Sequence, residues 1–203
     1  MPALLLDEFE VEQVLATRKR SGSYRWVEVW DGVYVVPPLP DNRHSELCGL
    51  FTAAFHEGFG GAPGVRCGGH VNVSDRNKDS LSNVRCPDAV VFLPDNPARD
   101  RFTHWQGGPD LLVEVVMPGD RSRDKLDFYA GIGTREVLIV DRDPWRVELY
   151  QLGRGKLRPR GASAPRRPAL ASSVTPFTFQ LVRGRPRPKL KIRYPETGLE
   201  WQG

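Results

Sequence analysis

Cysteine, methionine and histidine are scarce in this 203-residue chain, at three, two and four copies. No apolar run approaches the roughly 20 residues that a membrane-spanning helix needs. The longest apolar pieces, such as Leu111–Val113 and Val137–Val140, have the length of strands. The start, MPALLLDEFE, lacks a cationic segment before its short apolar run and lacks a cleavage site, so no secretion signal is read and a cytoplasmic location is expected. Cys48, Cys67 and Cys86 are odd in number and widely spaced, which argues against a disulfide framework. Cys67, His70 and Cys86 supply at best half a zinc motif, and small buried thiols are the favoured reading. There is no internal repeat, and neither a membrane nor an organic cofactor is expected as a partner.

Charge is divided along the chain. Residues 1–150 hold 17 Lys and Arg against 23 Asp and Glu, whereas residues 151–203 hold 12 against 2. Such asymmetry fits a phosphate-facing arm, because cationic side chains displace counterions from nucleic acid. It fits equally a solvated, loosely ordered extension. Arginine outnumbers lysine 23 to 6 throughout, which points to a general compositional bias.

The periodicities predict the elements. Leu6 to Leu15 reads as a short amphipathic helix with Asp7 near its cap. Tyr24–Trp30 and Val33–Pro37 flank Asp31-Gly32, a two-residue hairpin signal. Asp41 or Asn42 can cap a helix in which His44, Leu47, Cys48, Phe51, Ala54 and Phe55 recur at three- and four-residue steps, until glycines 58, 60 and 61 end it. Val65–Val73, Asp88–Leu93 and Asp110–Val116 read as strands. A third helix spans about Arg121 to Ile132, and Glu136–Asp141 and Arg146–Gln151 form a strand pair. Past Leu152 the pattern dissolves into Arg, Pro, Gly and Ser, with one weak strand near Phe177–Val182.

Chemistry concentrates at Glu114. Its neighbours in Leu111-Leu112-Val113-Glu114-Val115-Val116 are apolar on both sides, as in a strand covered on both faces. An unpaired carboxylate there costs several kcal/mol in lost hydration, so it requires a cationic side chain or a metal. Asp88 poses the same question at the head of the preceding strand, and two carboxylates on adjacent strands can converge on one divalent cation. Lys125, Phe128, Tyr129 and Ile132 share one helix face at i, i+3, i+4 and i+7. Lys125 is therefore either a structural counter-ion of Glu114 or a catalytic cation.

Pro87-Asp88, then GGPDLLVEVVMPGD, then a helix with Lys125 and Tyr129 resemble the Uma-two family of restriction-endonuclease-like proteins, within the PD-(D/E)XK nuclease superfamily. VEVWDGVYVVPP, His44 at a helix start and YAGIGTREVLIVD extend the resemblance over about residues 5–152. It implies that Asp88 and Glu114, with the Val115 carbonyl, hold Mg²⁺ or Mn²⁺. The superfamily's lysine position, two residues after the glutamate, is Val116; in this family the lysine moves to the following helix, where Lys125 stands. Glu28 and His44 match further positions that face the site, although Glu28 also reads as a hairpin salt-bridge partner and His44 as a half-exposed polar residue. Met117 replaces the family's common serine and Leu138 its common aromatic.

The expected fold is α/β, a restriction-endonuclease-like mixed sheet flanked by helices with an N-terminal β-hairpin extension. Residues 1–152 are expected to form the nuclease-like domain and 153–203 a basic extension. The expected activity is Mg²⁺-dependent hydrolysis of DNA by Asp88, Glu114 and Lys125, with Glu28, His44 and Tyr129 ancillary and a homodimer the default assembly. The alternatives are a nucleic-acid-binding or regulatory module with little turnover, or a structural protein whose buried charges form only an ion pair.

Overall fold

A computed structural model describes residues 4–6, 13, 16, 27–78 and 82–203. Its first strands are β1 (Leu4–Leu6), β2 (Glu28–Trp30) and β3 (Val33–Val36). Helix α1 (Asn42–Phe59) follows, then β4 (Arg66–Gly69), β5 (Val73–Ser74) and β6 (Val84–Arg85). Next are β7 (Ala89–Phe92), β8 (Arg99–Asp100), β9 (Trp105–Gln106) and β10 (Leu111–Val115). A 3₁₀ turn (Ser122–Lys125) leads into α2 (Leu126–Gly131), then β11 (Glu136–Arg142) and β12 (Trp145–Gly153). The last strands are β13 (Lys156–Ser163), β14 (Leu170–Ala171), β15 (Thr178–Val182), β16 (Lys189–Tyr194) and β17 (Leu199–Gln202).

The central sheet has the order β13-β12-β11-β10-β7-β4. Only β10 and β11 run parallel in it, joined by the α2 crossover, and the other pairs are antiparallel. Alternation along β10 sends Leu111, Val113 and Val115 towards α1 and Leu112 towards Tyr129 of α2. A second sheet, β1-β3-β2-β6-β5-β9-β8, carries the hairpin. There Asp31 and Gly32 take φ of 48° and 85°, the pair of positive values that a type I′ turn demands. The predicted amino-terminal helix lies outside the described residues, apart from helical Gln13 and Ala16 and from Leu6, which belongs to β1. Residues 24–26 of the predicted first hairpin strand also lie outside them.

Helix α1 is capped by Asp41, whose carboxylate accepts from the His44 amide at 2.7 Å, and ends at Gly60 in the left-handed conformation. Two elements differ from expectation. The strand read over Val65–Val73 breaks at His70, whose φ of +53° turns the chain from β4 in one sheet to β5 in the other. The helix read from Arg121 opens instead as a 3₁₀ turn, with no side-chain cap at Arg121.

The largest correction concerns residues 153–203. The expected boundary after Leu152 cuts the β12–β13 hairpin, in which Leu152 pairs with Leu157. Strands β14–β17 form a third sheet whose Phe179, Leu181, Leu190 and Ile192, together with Phe177 just before β15, are fully buried in the same core as α1. Phe177 packs on Phe55 and Phe179 on Phe51, with centroids 5.2 and 6.0 Å apart. Gly58 permits this approach, since a Cβ there would lie 2.5 Å from the Phe177 ring. Buried Glu136 pins the sheet further by accepting from Ser172 Oγ and from the amide and hydroxyl of Ser173, at 2.6 to 2.9 Å. Among the described residues, no helix is long and apolar enough to cross a membrane.

Phe177→Ala is expected to cost about 3–5 kcal/mol, read as a lower urea midpoint, and the chain cut after Leu152 should not unfold cooperatively. A truncated chain with a sharp unfolding transition would contradict this packing.

Candidate active site

The geometry starts from the end of β10. Glu114, 2% exposed, projects to the α2 face, and every oxygen of its carboxylate is engaged. Tyr129 donates its hydroxyl to Oε1 at 2.5 Å, and Lys125 Nζ lies 3.2 Å from Oε1 and 3.0 Å from Oε2. Ser122 Oγ reaches Oε2 at 3.5 Å and Asp120 Oδ1 at 2.7 Å. Lys125 is itself only 7% exposed, so its ammonium points inward. It bridges to a second acid, Glu28, at 2.9 Å. Glu28 is fixed in turn by the Cys86 amide at 2.9 Å and by Trp30 Nε1 at 2.8 Å.

Asp88 sits just before β7. Its backbone amide donates to the Val113 carbonyl at 3.0 Å, and its Oδ2 accepts from the Val115 amide at 2.7 Å. Thus Val115 meets Asp88 through its amide, while its side chain lies in the core beneath α1. The other oxygen, Oδ1, lies 3.3 Å from His44 Nε2 and 3.6 Å from His70 Nδ1. Cys48, one helical turn after His44, places Sγ 3.4 Å from His44 Nδ1. His44, Cys48 and Asp88 form a cluster with the spacing of metal ligands, their donor atoms all within 4.8 Å of one another.

These groups line one cavity of about 120 Å³ whose wall includes Glu28, His44, Asp88, Glu114, Asp120 and Lys125. Tyr129 stands behind it, fully buried. Of the residues singled out by sequence, Glu28, His44, Asp88, Glu114 and Lys125 therefore converge on the cavity, with Tyr129 orienting Glu114 rather than facing the space. Among the described residues four carboxylates meet a single ammonium there, and the charges respond. Burial, reinforced by Asp88, Glu28 and Asp120, outweighs Lys125 and lifts the Glu114 carboxyl to about 8. Burial opposes ionisation of Asp88 too, but His44, the Val115 amide and His70 overcome it and hold its pKa below the usual value. Burial acts against the Lys125 ammonium, yet Glu114, Glu28 and Asp120 raise its pKa well above the ordinary range. Burial lowers His70 and raises the Cys48 thiol.

Sequence reasoning did not place Cys48, Asp120 or Ser122 in the site. Cys48 had a visible signal, its i+4 spacing from His44. Ser122 supplies a hydroxyl to Glu114, while Met117 accepts through Sδ from Arg142 at 2.9 Å. Val116 does not line the cavity, and Leu138 is core. The three residues of the zinc reading divide: His70 and Cys86 border this cavity, whereas Cys67 borders another beside His56 and Trp105.

The family profile described as Uma2, "Putative restriction endonuclease", matches residues 11–183. Among solved structures, the chain is similar to a "putative nuclease belonging to DUF820" from Anabaena variabilis. The likeness has a TM-score of 0.53 and 16% identity, covering 66% of this chain and 75% of the other. It bears out the restriction-endonuclease-like fold. No curated protein matches the chain.

Glu114 gives a pH signature in metal-free protein. Unfolded it titrates near 4.5, folded near 8, so between those values the folded state keeps a proton that the unfolded state releases. Stability contributed by the protonated form is full below 4.5 and is lost as pH rises through 8. Urea midpoints measured in chelator should fall over this window more steeply for wild type than for Glu114→Gln, and parallel slopes would contradict the assignment.

Proposed function

We propose, from the premise that this chain belongs to the Uma2 family, that it is a divalent-metal-dependent endonuclease acting on DNA. The observation that carries the reading is the charge imbalance at the cavity: among the described residues, Glu28, Asp88, Glu114 and Asp120 line it with Lys125 as their one ammonium. Buried like charges at this density favour a further cation, and the donor set, carboxylate oxygens, suits Mg²⁺ or Mn²⁺. Asp88 and Glu114 would hold the ion, with the Val115 carbonyl as a third oxygen. When bound, such an ion polarises a phosphodiester and acidifies a coordinated water.

The protein's own groups divide the remaining work. Tyr129 and Ser122 fix the rotamer of Glu114, and the Val115 amide together with His44 fixes Asp88. Lys125, locked between Glu28 and Glu114, offers a positive charge where negative charge develops on the phosphate. Glu28 thus acts through Lys125, and His44 through Asp88. Exposed Arg154, Lys156, Arg158 and Arg160, on β13 and the turn before it, can neutralise phosphates of a bound duplex. Cutting both strands favours a homodimer with two sites related by a two-fold axis.

Glu114→Gln and Asp88→Asn should each lower Mg²⁺- or Mn²⁺-dependent cleavage of DNA by at least about 10²-fold while leaving a cooperative unfolding transition. Wild-type protein that binds DNA but cuts neither DNA nor RNA with either metal would favour a binding module instead. Replacing Arg158 and Arg160 with serine should flatten the slope of log K against log salt by about 2 if both contact phosphates. An unchanged slope would remove β13 from the interface.

A further inference from the structure

The two oxygens of Asp88 face different surroundings. Oδ2 lies against the β10 backbone, while Oδ1 faces His44, His70 and, behind His44, Cys48. Three separate elements deliver these groups. His44 and Cys48 occupy one face of α1, with His44 set by the Asp41 cap. His70 is presented by its left-handed backbone at the end of β4, and its amide donates to the Asp88 carbonyl at 3.2 Å. A non-glycine residue held at positive φ stores strain that surrounding structure must maintain. The His44 and His70 rings are stacked at 6.5 Å with an interplanar angle of 22°, so both imidazole edges approach Asp88 from one side.

The donor atoms of His44, Cys48 and Asp88 lie within 4.8 Å of one another, with His70 Nδ1 beside Asp88 Oδ1, a set that can draw in around one tetrahedral ion. Metal–nitrogen, metal–oxygen and metal–sulfur bonds of about 2.0–2.3 Å set ligand atoms roughly 3.3–3.6 Å apart. Here Asp88 Oδ1 lies 3.3 Å from His44 Nε2 and 3.6 Å from His70 Nδ1, and Cys48 Sγ lies 4.0 Å from His44 Nε2. Donor chemistry separates this cluster from the Asp88–Glu114 pair: imidazole and thiolate prefer zinc-class ions, whereas Mg²⁺ prefers oxygen. Charge is balanced as well. One thiolate and one carboxylate neutralise a dication, so the filled cage is itself neutral in a buried pocket.

We infer that His44 Nε2, Cys48 Sγ and Asp88 Oδ1, joined by His70 Nδ1 as a fourth ligand that closes in when the ion binds, form a second metal site, selective for a borderline-soft divalent transition metal of the zinc class. Binding releases the Cys48 thiol proton to solvent and replaces the Cys48–His44 contact with two bonds to the ion. The site shares Asp88 with the proposed nuclease centre but does not depend on cleavage.

The test uses the full chain, freed of metal and titrated with Co²⁺ and Zn²⁺. One equivalent of Co²⁺ should give a thiolate-to-cobalt charge-transfer band that Zn²⁺ bleaches and a large excess of Mg²⁺ does not. Cys48→Ser should abolish the band and weaken Zn²⁺ binding at least about tenfold, since loss of mere outer-shell partners already costs that much. His70→Ala, at the half-buried rim, should alter the cobalt spectrum and weaken Zn²⁺ even if the Cys48 variant folds poorly. Glu114→Gln should keep the band, although it disables the proposed nuclease centre. Absence of the band in wild type, an unchanged band in Cys48→Ser, or unchanged Zn²⁺ affinity in His70→Ala would overturn the site. Loss of cobalt binding in Glu114→Gln would assign the ion to the Asp88–Glu114 pair instead.

Discussion

The buried contact between Lys125 and Glu114 is the constraint around which the rest of this molecule is arranged. Both groups are almost wholly removed from water, and burying either alone costs several kcal/mol. The ammonium is therefore given two acids, Glu114 and Glu28, and the carboxylate a phenol and a hydroxyl besides. Buried charge clusters are often no more stabilising than well-packed apolar residues of similar volume. Stability alone gives no reason for such a cluster.

The fold supplies the partners from four places. Glu28 comes from the hairpin sheet, Glu114 from the centre of the main sheet, Lys125 and Tyr129 from the crossover between β10 and β11, and Asp88 from the residue leading into β7 on the other side of β10. A parallel pair requires a crossover connection, and here the crossover is short, a 3₁₀ turn followed by six helical residues. Its shortness keeps Ser122, Lys125 and Tyr129 directly above Glu114. On the opposite face, α1 is held between the central sheet and the carboxy-terminal sheet by Phe51 and Phe55. That rigid seat carries His44 and Cys48 to Asp88.

Basic charge and core packing are combined in the same carboxy-terminal strands. In β16 the side chains of Leu190 and Ile192 are buried, while Lys189 and Arg193 are exposed. The positive surface is thus displayed on strands anchored by the core, not on a free arm. An anchored array of cations presents phosphates with fixed spacing at little entropic cost.

The sequence by itself determined what was written in local pattern. The helix period of 42–59, the Asp31-Gly32 turn, the apolar strand around Glu114 and the Lys125–Tyr129 face were legible because each rests on neighbours a few residues apart. Residues 153–203 were misread because their strands alternate apolar residues with Arg, Lys and Pro, so the surface half of the pattern masked the buried half. KLKIRY carried the period of two. Only the tertiary structure decided that Glu28 and Glu114 share one ammonium and that His70 joins His44 and Cys48 at Asp88. It also decided that Cys67 does not. Those meetings depend on strand order and on one left-handed residue at the end of β4, and neither is encoded in any short stretch of chain.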